Sequence, residues 1–212
     1  GDEEFETNEQ LFDRINELYR RALKSKLYIL DENELNKSYV IDTKNLSTGG
    51  GLLVVSAAEM IARGLSAEET VEKTRALVPC VDASFVIDSL EYLYKGGRCS
   101  ALAMFGANLL KLKPCIQVKD GKMDVAKKYR GKFSEVAKQY VSEKISDYSD
   151  IDLDRVFVTH AGCDPELMNE LVETVKSKAP FKEVFLTRAG CTVSSHCGAN
   201  TLGVLFIRKS PI

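Results

Sequence analysis

Residues 90–114, LEYLYKGGRCSALAMFGANLLKLKP, decide the fold that we predict for this chain. Leu90 and Leu93 share one face of a short amphipathic helix, which ends at Gly96 and the glycine after it. Arg98 follows this bend, where its guanidinium is a permanently charged fork of hydrogen-bond donors. The other interpretation of Arg98 is a helix-terminal cation that bonds nearby carbonyls.

A second helix is predicted after Ser100, which is a suitable N-cap. Its apolar side contains Leu102, Phe105, Leu109 and Leu110. Such a wall is core by default, although a long acyl chain also requires an apolar wall, since each buried methylene contributes about 0.8 kcal/mol. A cation beside an apolar wall suits an anionic molecule with an apolar body.

Composition sets the class of protein. The 212 residues are 44% hydrophobic and 28% charged, an ordinary globular balance, and the net charge of −2 argues against a nucleic-acid protein that relies on a basic field. The longest apolar run, around residues 52–58, is too short to span a membrane. Six cysteines without short-spaced pairs are typical of reduced thiols, and the acidic first ten residues are unlike a secretory signal. We therefore expect a cytoplasmic protein without a membrane span.

Strands and helices are predicted to alternate, which indicates an α/β fold. Predicted strands lie around residues 26–30, 39–41, 83–87, 156–158, 184–186 and 204–206, and a hairpin is centred on Asp120-Gly121. Ser66 and Glu69 form a capping-box pattern, and Asp164-Pro165 is a suitable start for another helix. The glycine-rich segment from Ser47 to Gly51 is predicted to be a turn before a helix from about residue 52 to residue 63.

These motifs also carry a family resemblance. Leu90, Leu93 and the run 95–98, followed by Leu109-Leu110, Lys113-Pro114 and Asp120-Gly121, are similar in order and spacing to the signature of the DegV family of bacterial fatty-acid-binding proteins. The segments YVIDTKNLSTGGG (39–51) and GCTVSSHCGANTLGVLFI (190–207) resemble two further family segments. In the second one, His196, Gly198 and Gly203 match, whereas Ala199 and Asn200 stand where the family has Pro and Gly.

The resemblance implies a two-lobed α/β fold, with a parallel-sheet N-terminal lobe in residues 1–80 and an α/β C-terminal lobe in residues 81–212. The family's Thr-Ser motif, which binds the carboxylate, is not recognisable in residues 1–38, so the first lobe is incomplete or different here. The implied function is to hold a long-chain fatty acid such as palmitate, stearate or oleate between the lobes. A separate fatty acid kinase would then convert it to an acyl phosphate for phospholipid synthesis.

By the same resemblance, the fatty-acid site would contain His196, Arg98 and Ser47, with Phe105, Leu109 and Leu110 as the acyl wall. Arg98 would face either the ligand or the kinase. His196 is placed in a loop between two strands and would bond the carboxylate network. The chain would be a carrier without catalytic residues or a cofactor, and its membrane contact would be at most transient and at the surface.

Other interpretations stay open. Cys191, His196 and Cys197 together with His160 and Cys163 could hold zinc, although their spacing matches no usual zinc motif, and inert buried thiols are favoured. The Gly49–Gly51 segment could make the chain a phosphate- or nucleotide-binding enzyme, but it lacks a phosphate-loop lysine, and tight packing of the turn is the favoured explanation of its glycines. A lipid-free partner-binding fragment is the third possibility. Copurified lipid would separate the fatty-acid carrier from the phosphate-binding enzyme and from the lipid-free fragment.

Overall fold

Strands and helices alternate along the chain in a computed structural model that describes residues 26–30, 38–97 and 112–212. The first part contains β1 (Lys26–Leu30), β2 (Ser38–Asp42), α1 (Ser47–Ala62), α2 (Ala67–Leu77), a short 3-10 turn (Val78–Cys80), β3 (Val81–Ile87) and α3 (Glu91–Lys95). The second part contains β4 (Leu112–Lys119), β5 (Lys122–Arg130), α4 (Phe133–Lys144), β6 (Ile151–Ala161), α5 (Pro165–Lys178), β7 (Glu183–Arg188), α6 (Cys191–Cys197) and β8 (Thr201–Arg208).

One six-stranded sheet, in the order β5-β4-β3-β8-β6-β7, organises the second part. Its pairs are antiparallel except for β6 and β7, which run parallel. β3 is buried along its whole length and β8 along all but its last residue, because both lie in the middle of the sheet. The α/β class predicted from the sequence is confirmed.

Helices cover both faces of this sheet. α4 and α5 pack on one face through residues such as Tyr140 and Met168, against Val204 and Phe206 of β8. Residues of α1, α3 and α6, among them Leu52, Leu93 and Cys197, pack on the other face with Leu205 and Ile207 of β8. Successive side chains of a strand point to opposite faces, so β8 supplies both cores.

Local signals in the sequence account for several boundaries. Ser66 and Glu69 bond reciprocally at the start of α2, and the Asp164 carboxylate accepts two backbone N–H bonds at the start of α5. Asp120 and Gly121 both have positive φ, 50° and 74°, as a two-residue hairpin turn between β4 and β5 requires. The short helix before Gly96 is also confirmed, with Leu93 buried.

Two sequence-based expectations differ from the structure. Residues 47–51 begin α1 instead of forming a turn before it. A Cβ on Gly49 would lie 2.0 Å from Oδ1 of Asn45 and 3.4 Å from Cβ of Ala83, so this glycine brings the first turn of the helix close to the sheet. In the N-terminal portion, the described strands β1 and β2 pair antiparallel, where the resemblance implied a parallel sheet.

The division into residues 1–80 and 81–212 stays a prediction, although the six-stranded sheet does begin at Val81. The second predicted helix, with Phe105, Leu109 and Leu110, lies outside the described residues, as does Arg98. Within the described ranges, no helix is both long enough and apolar enough to cross a membrane.

Candidate functional site

A small cavity of about 40 Å³ lies on the α1, α3 and α6 face of the sheet. Its walls are mainly apolar and include Phe85 of β3, Val118 of β4, Leu205 of β8, and Val193 and Cys197 of α6. Val193 and Cys197 face it together because residues four apart share one side of a helix. Ser47 and Thr159 add hydroxyl groups to this apolar lining.

A chain of three threonine hydroxyls crosses from α1 to the edge of the sheet beside the cavity. Oγ1 of Thr48 lies 2.7 Å from Oγ1 of Thr159, which lies 2.9 Å from Oγ1 of Thr187. Thr159 and Thr187 are register partners on the parallel strands β6 and β7. Two bonds use two of the three hydroxyl protons, so one proton remains for a further acceptor.

Ser47 reaches the cavity from the first position of α1, where its φ of 52° is in the left-handed region. Such a backbone is uncommon for a residue other than glycine. The neighbouring Asn45 is buried, and its side-chain oxygen accepts the N–H of Leu46 at 3.1 Å. This bond and the close approach of Gly49 hold the entry to α1, and so they fix where Ser47 meets the cavity.

His196 is half-buried in α6, so the expectation of a loop at this position is wrong. Its imidazole does not line the small cavity but packs against Gly96 at the end of α3. The structure thus brings His196 next to the KGG segment that precedes Arg98. Ser47 lines the small cavity together with Val193 and Cys197 of α6, whereas His196 of the same helix does not.

Burial raises the pKa of the Cys197 thiol to about 11 and that of Cys163 likewise to about 11. Both thiols are therefore protonated at neutral pH, and a protonated thiol is a poor nucleophile.

Burial lowers the pKa of His160, and the positive charge of Arg188 lowers it further. Among the described residues, no group of three or more His, Cys, Asp or Glu side chains could hold a metal ion.

A sequence model of the DegV family, described as uncharacterised, matches residues 22–209, which is most of the chain. The chain belongs to the DegV family. A DegV domain-containing protein of Caldanaerobacter subterraneus subsp. tengcongensis is 29% identical over 188 residues, which is 88% of this chain and 66% of that relative. The chain thus spans slightly less than two thirds of the relative's length.

Solved structures of DegV proteins have the same fold. DegV of Bacillus subtilis, described as a fatty acid binding protein, superposes with a TM-score of 0.66 and 26% identity, over 81% of this chain and 60% of its own. The fatty acid kinase (Fak) B3 protein of Streptococcus pneumoniae, loaded with linoleic acid, superposes with a TM-score of 0.67 and 21% identity, over 79% of this chain and 58% of its own. At that identity the second likeness shows the fold alone.

Of the candidate site residues in this DegV chain, Ser47 and His196 are described, and both lie on the face that α1 and α6 cover. Their roles in binding stay predictions. The remaining four, Arg98, Phe105, Leu109 and Leu110, fall outside the described residues.

Thr159 and Thr187 are not among the site residues predicted from the sequence. A signal for them does exist, because Val156–His160 (VFVTH) and Val184–Arg188 (VFLTR) are nearly the same segment. The structure pairs them residue for residue, with Phe157 stacked on Phe185 at 5.2 Å between ring centroids. Two such similar segments, each with three apolar residues followed by a threonine, could have been paired as neighbouring strands.

Proposed function

We propose that this DegV chain binds a long-chain fatty acid such as palmitate, stearate or oleate. The observation that carries the proposal is the apolar cavity under α1 and α6, lined by Phe85, Val193 and Leu205 with the hydroxyl groups of Ser47 and Thr159 at its wall. Membership of a family that includes fatty acid binding proteins supports it. An acyl chain requires such an apolar environment because each buried methylene contributes about 0.8 kcal/mol.

Binding requires the cavity to open. Its volume of about 40 Å³ is well below the roughly 150 Å³ of a cavity that holds benzene, so an acyl chain does not fit until the walls separate. α6 is the element most suited to move, since it has seven residues and contributes the cavity-lining Val193 and Cys197. An acyl chain of about 15 methylenes gains on the order of 12 kcal/mol from burial, which offsets the cost of separating packed side chains.

The ligand carboxylate would be bound by polar groups that include His196 on α6. Arg98 would assist it or would face the partner protein. In this proposal the chain is a carrier, and a separate fatty acid kinase phosphorylates the presented carboxylate to form an acyl phosphate for phospholipid synthesis. The protonated state of Cys197 supports a carrier, because the thiol that lines the cavity is a weak nucleophile.

The experiment compares two substitutions on α6. Val193→Phe places a larger side chain in the cavity, whereas Thr192→Phe adds the same ring at an exposed position of the same helix. After removal of any bound lipid, oleate should raise the melting temperature of the wild type and of Thr192→Phe, since a ligand that binds the folded state stabilises it. Val193→Phe should lose most of that shift. An equal response of all three proteins to oleate, or none in the wild type, would contradict the proposal.

A further inference from the structure

Two motifs that are far apart in the sequence meet at the junction of α3 and α6. Gly96 follows the last residue of α3, and His196 lies in the last turn of α6. A Cβ built on Gly96 would lie 2.3 Å from Nδ1 and 3.0 Å from Cε1 of the His196 imidazole. The imidazole therefore occupies the space that any other residue at position 96 would fill.

The backbone does not require glycine at this position. Gly96 has φ −77° and ψ −3°, which alanine adopts without strain. Gly97 differs, because its φ of 64° favours glycine while a Cβ there would meet none of the described residues within 4 Å. The two glycines thus have separate roles. Gly97 provides a backbone bend with positive φ, and Gly96 leaves space for the imidazole of His196.

The contact is reciprocal. Gly198, which follows α6, receives the aromatic ring of Tyr92 from α3, and a Cβ there would lie 2.4 Å from Cδ2 of that ring. Each of the two helices is followed by a glycine that accepts a side chain of the other helix. At this junction α3 and α6 therefore contact each other through the side chains of Tyr92 and His196.

We propose that Gly96 is a positioning residue, which holds the His196 imidazole in the orientation that binds the ligand's polar head. The inference rests on the proposed function, since it assigns a support to a residue of that same site. With alanine at position 96, the imidazole must withdraw by about 1 Å to reach an ordinary van der Waals contact of 3.4 Å. A displacement of that size lengthens a hydrogen bond beyond its effective range.

The test measures oleate affinity of delipidated protein by calorimetry. Gly96→Ala should bind oleate about tenfold more weakly, the loss expected for one charge-assisted hydrogen bond. The matched control is Gly51→Ala, because a Cβ at Gly51 meets no atom within 4 Å in the described part of the chain and the residue lies within α1. This control should bind oleate as the wild type does.

A double-mutant cycle separates positioning from a general structural effect. In a His196→Ala background the imidazole is absent, so Gly96→Ala should cause no further loss of affinity. The same background keeps the test decisive if Gly96→Ala alone fails to fold, because the double variant should then fold. Equal effects of Gly96→Ala with and without the imidazole, on affinity or on folding, would overturn the proposal.

A second readout uses the two histidines of the chain, which give two sets of imidazole NMR signals. Gly96→Ala should shift the signals of His196 and leave those of His160 in place. If the wild type binds oleate and Gly96→Ala binds it equally well, the role of Gly96 is refuted while the proposed function stands. A wild type that takes up no oleate would refute the proposed function and the role of Gly96 with it.

Discussion

At the scale of single residues, the thiols differ in environment more than the sequence suggests. Cys191 is exposed at the start of α6, whereas Cys163 and Cys197 are buried and their pKa values are raised to about 11. Iodoacetamide reacts with the thiolate. At about pH 8 we expect modification of Cys191 in the folded protein, and protection of Cys163 and Cys197 until urea unfolds the chain. Peptide mass spectrometry locates the modified thiols, and rapid modification of Cys197 in folded protein would contradict the buried site.

The threonine hydroxyl chain gives a second prediction for single residues. Thr159→Val keeps the shape of the side chain but leaves the hydroxyls of Thr48 and Thr187 without their shared partner. Both of these hydroxyls are only partly buried, so we expect a loss of about 1 kcal/mol in the free energy of unfolding. Urea denaturation measures it. Thr192→Val, on an exposed position of α6, is the control and should change stability by less than about 0.5 kcal/mol.

At the scale of elements, a buried charge joins the central strands to α4. Asp82 of β3 is 2% exposed, and its carboxylate binds Nζ of Lys144 at 2.5 Å and Nε of Arg208 at 2.8 Å. Removing one partner of a buried ion pair leaves the other charge uncompensated. The Asp82 carboxylate therefore ties β3, β8 and α4 together.

Asp82→Asn should lower the free energy of unfolding by about 3 kcal/mol or more, because the buried ion pair with Lys144 is lost and Arg208 keeps only its longer contact of 3.7 Å with Asp150. The comparison is Asp154→Asn, whose ion pair with Lys182 is largely exposed and should contribute less than about 1 kcal/mol. Both values come from urea denaturation at neutral pH. Similar losses for the two variants would show that burial does not set the strength of the Asp82 contacts.

The contact between α4 and β5 should depend on pH through Glu143. Burial alone would raise the pKa of this carboxyl, but hydrogen bonds from Lys127, Tyr129 and Gln139 outweigh it and lower the pKa below the ordinary value of 4.5. The folded state thus favours the ionised carboxylate, so the stabilisation is present above about pH 4.5 and is lost as the pH falls through the lower folded-state pKa. Urea midpoints between about pH 7 and about pH 3 should show a difference between wild type and Glu143→Gln that disappears in acid. A constant difference would contradict this assignment.

Most elements were predictable from the sequence because their signals are local. Apolar periodicity indicated the helices and strands, and side-chain caps such as Ser66 and Asp164 marked helix starts. The start of α1 was not predictable because glycines disfavour helices locally, and the requirement for Gly49 comes from its packing against Asn45 and Ala83. The contact of Gly96 with His196 was not predictable, since it depends on how distant segments come together in the fold.

At the scale of the whole molecule, the described fold places a small apolar cavity beside a short helix that bears His196. The chain covers 66% of the length of the Caldanaerobacter relative. The central claim is that this chain binds a fatty acid. The cavity lining from α1, the sheet and α6 gives the physical basis for that claim.

The most direct measurement is mass spectrometry of the purified protein, first under native conditions and then after organic extraction. We predict one long-chain fatty acid per chain under native conditions, released by extraction, and weaker retention in His196→Ala. A chain that carries no fatty acid, and takes up neither oleate nor palmitate when they are added, would contradict the claim.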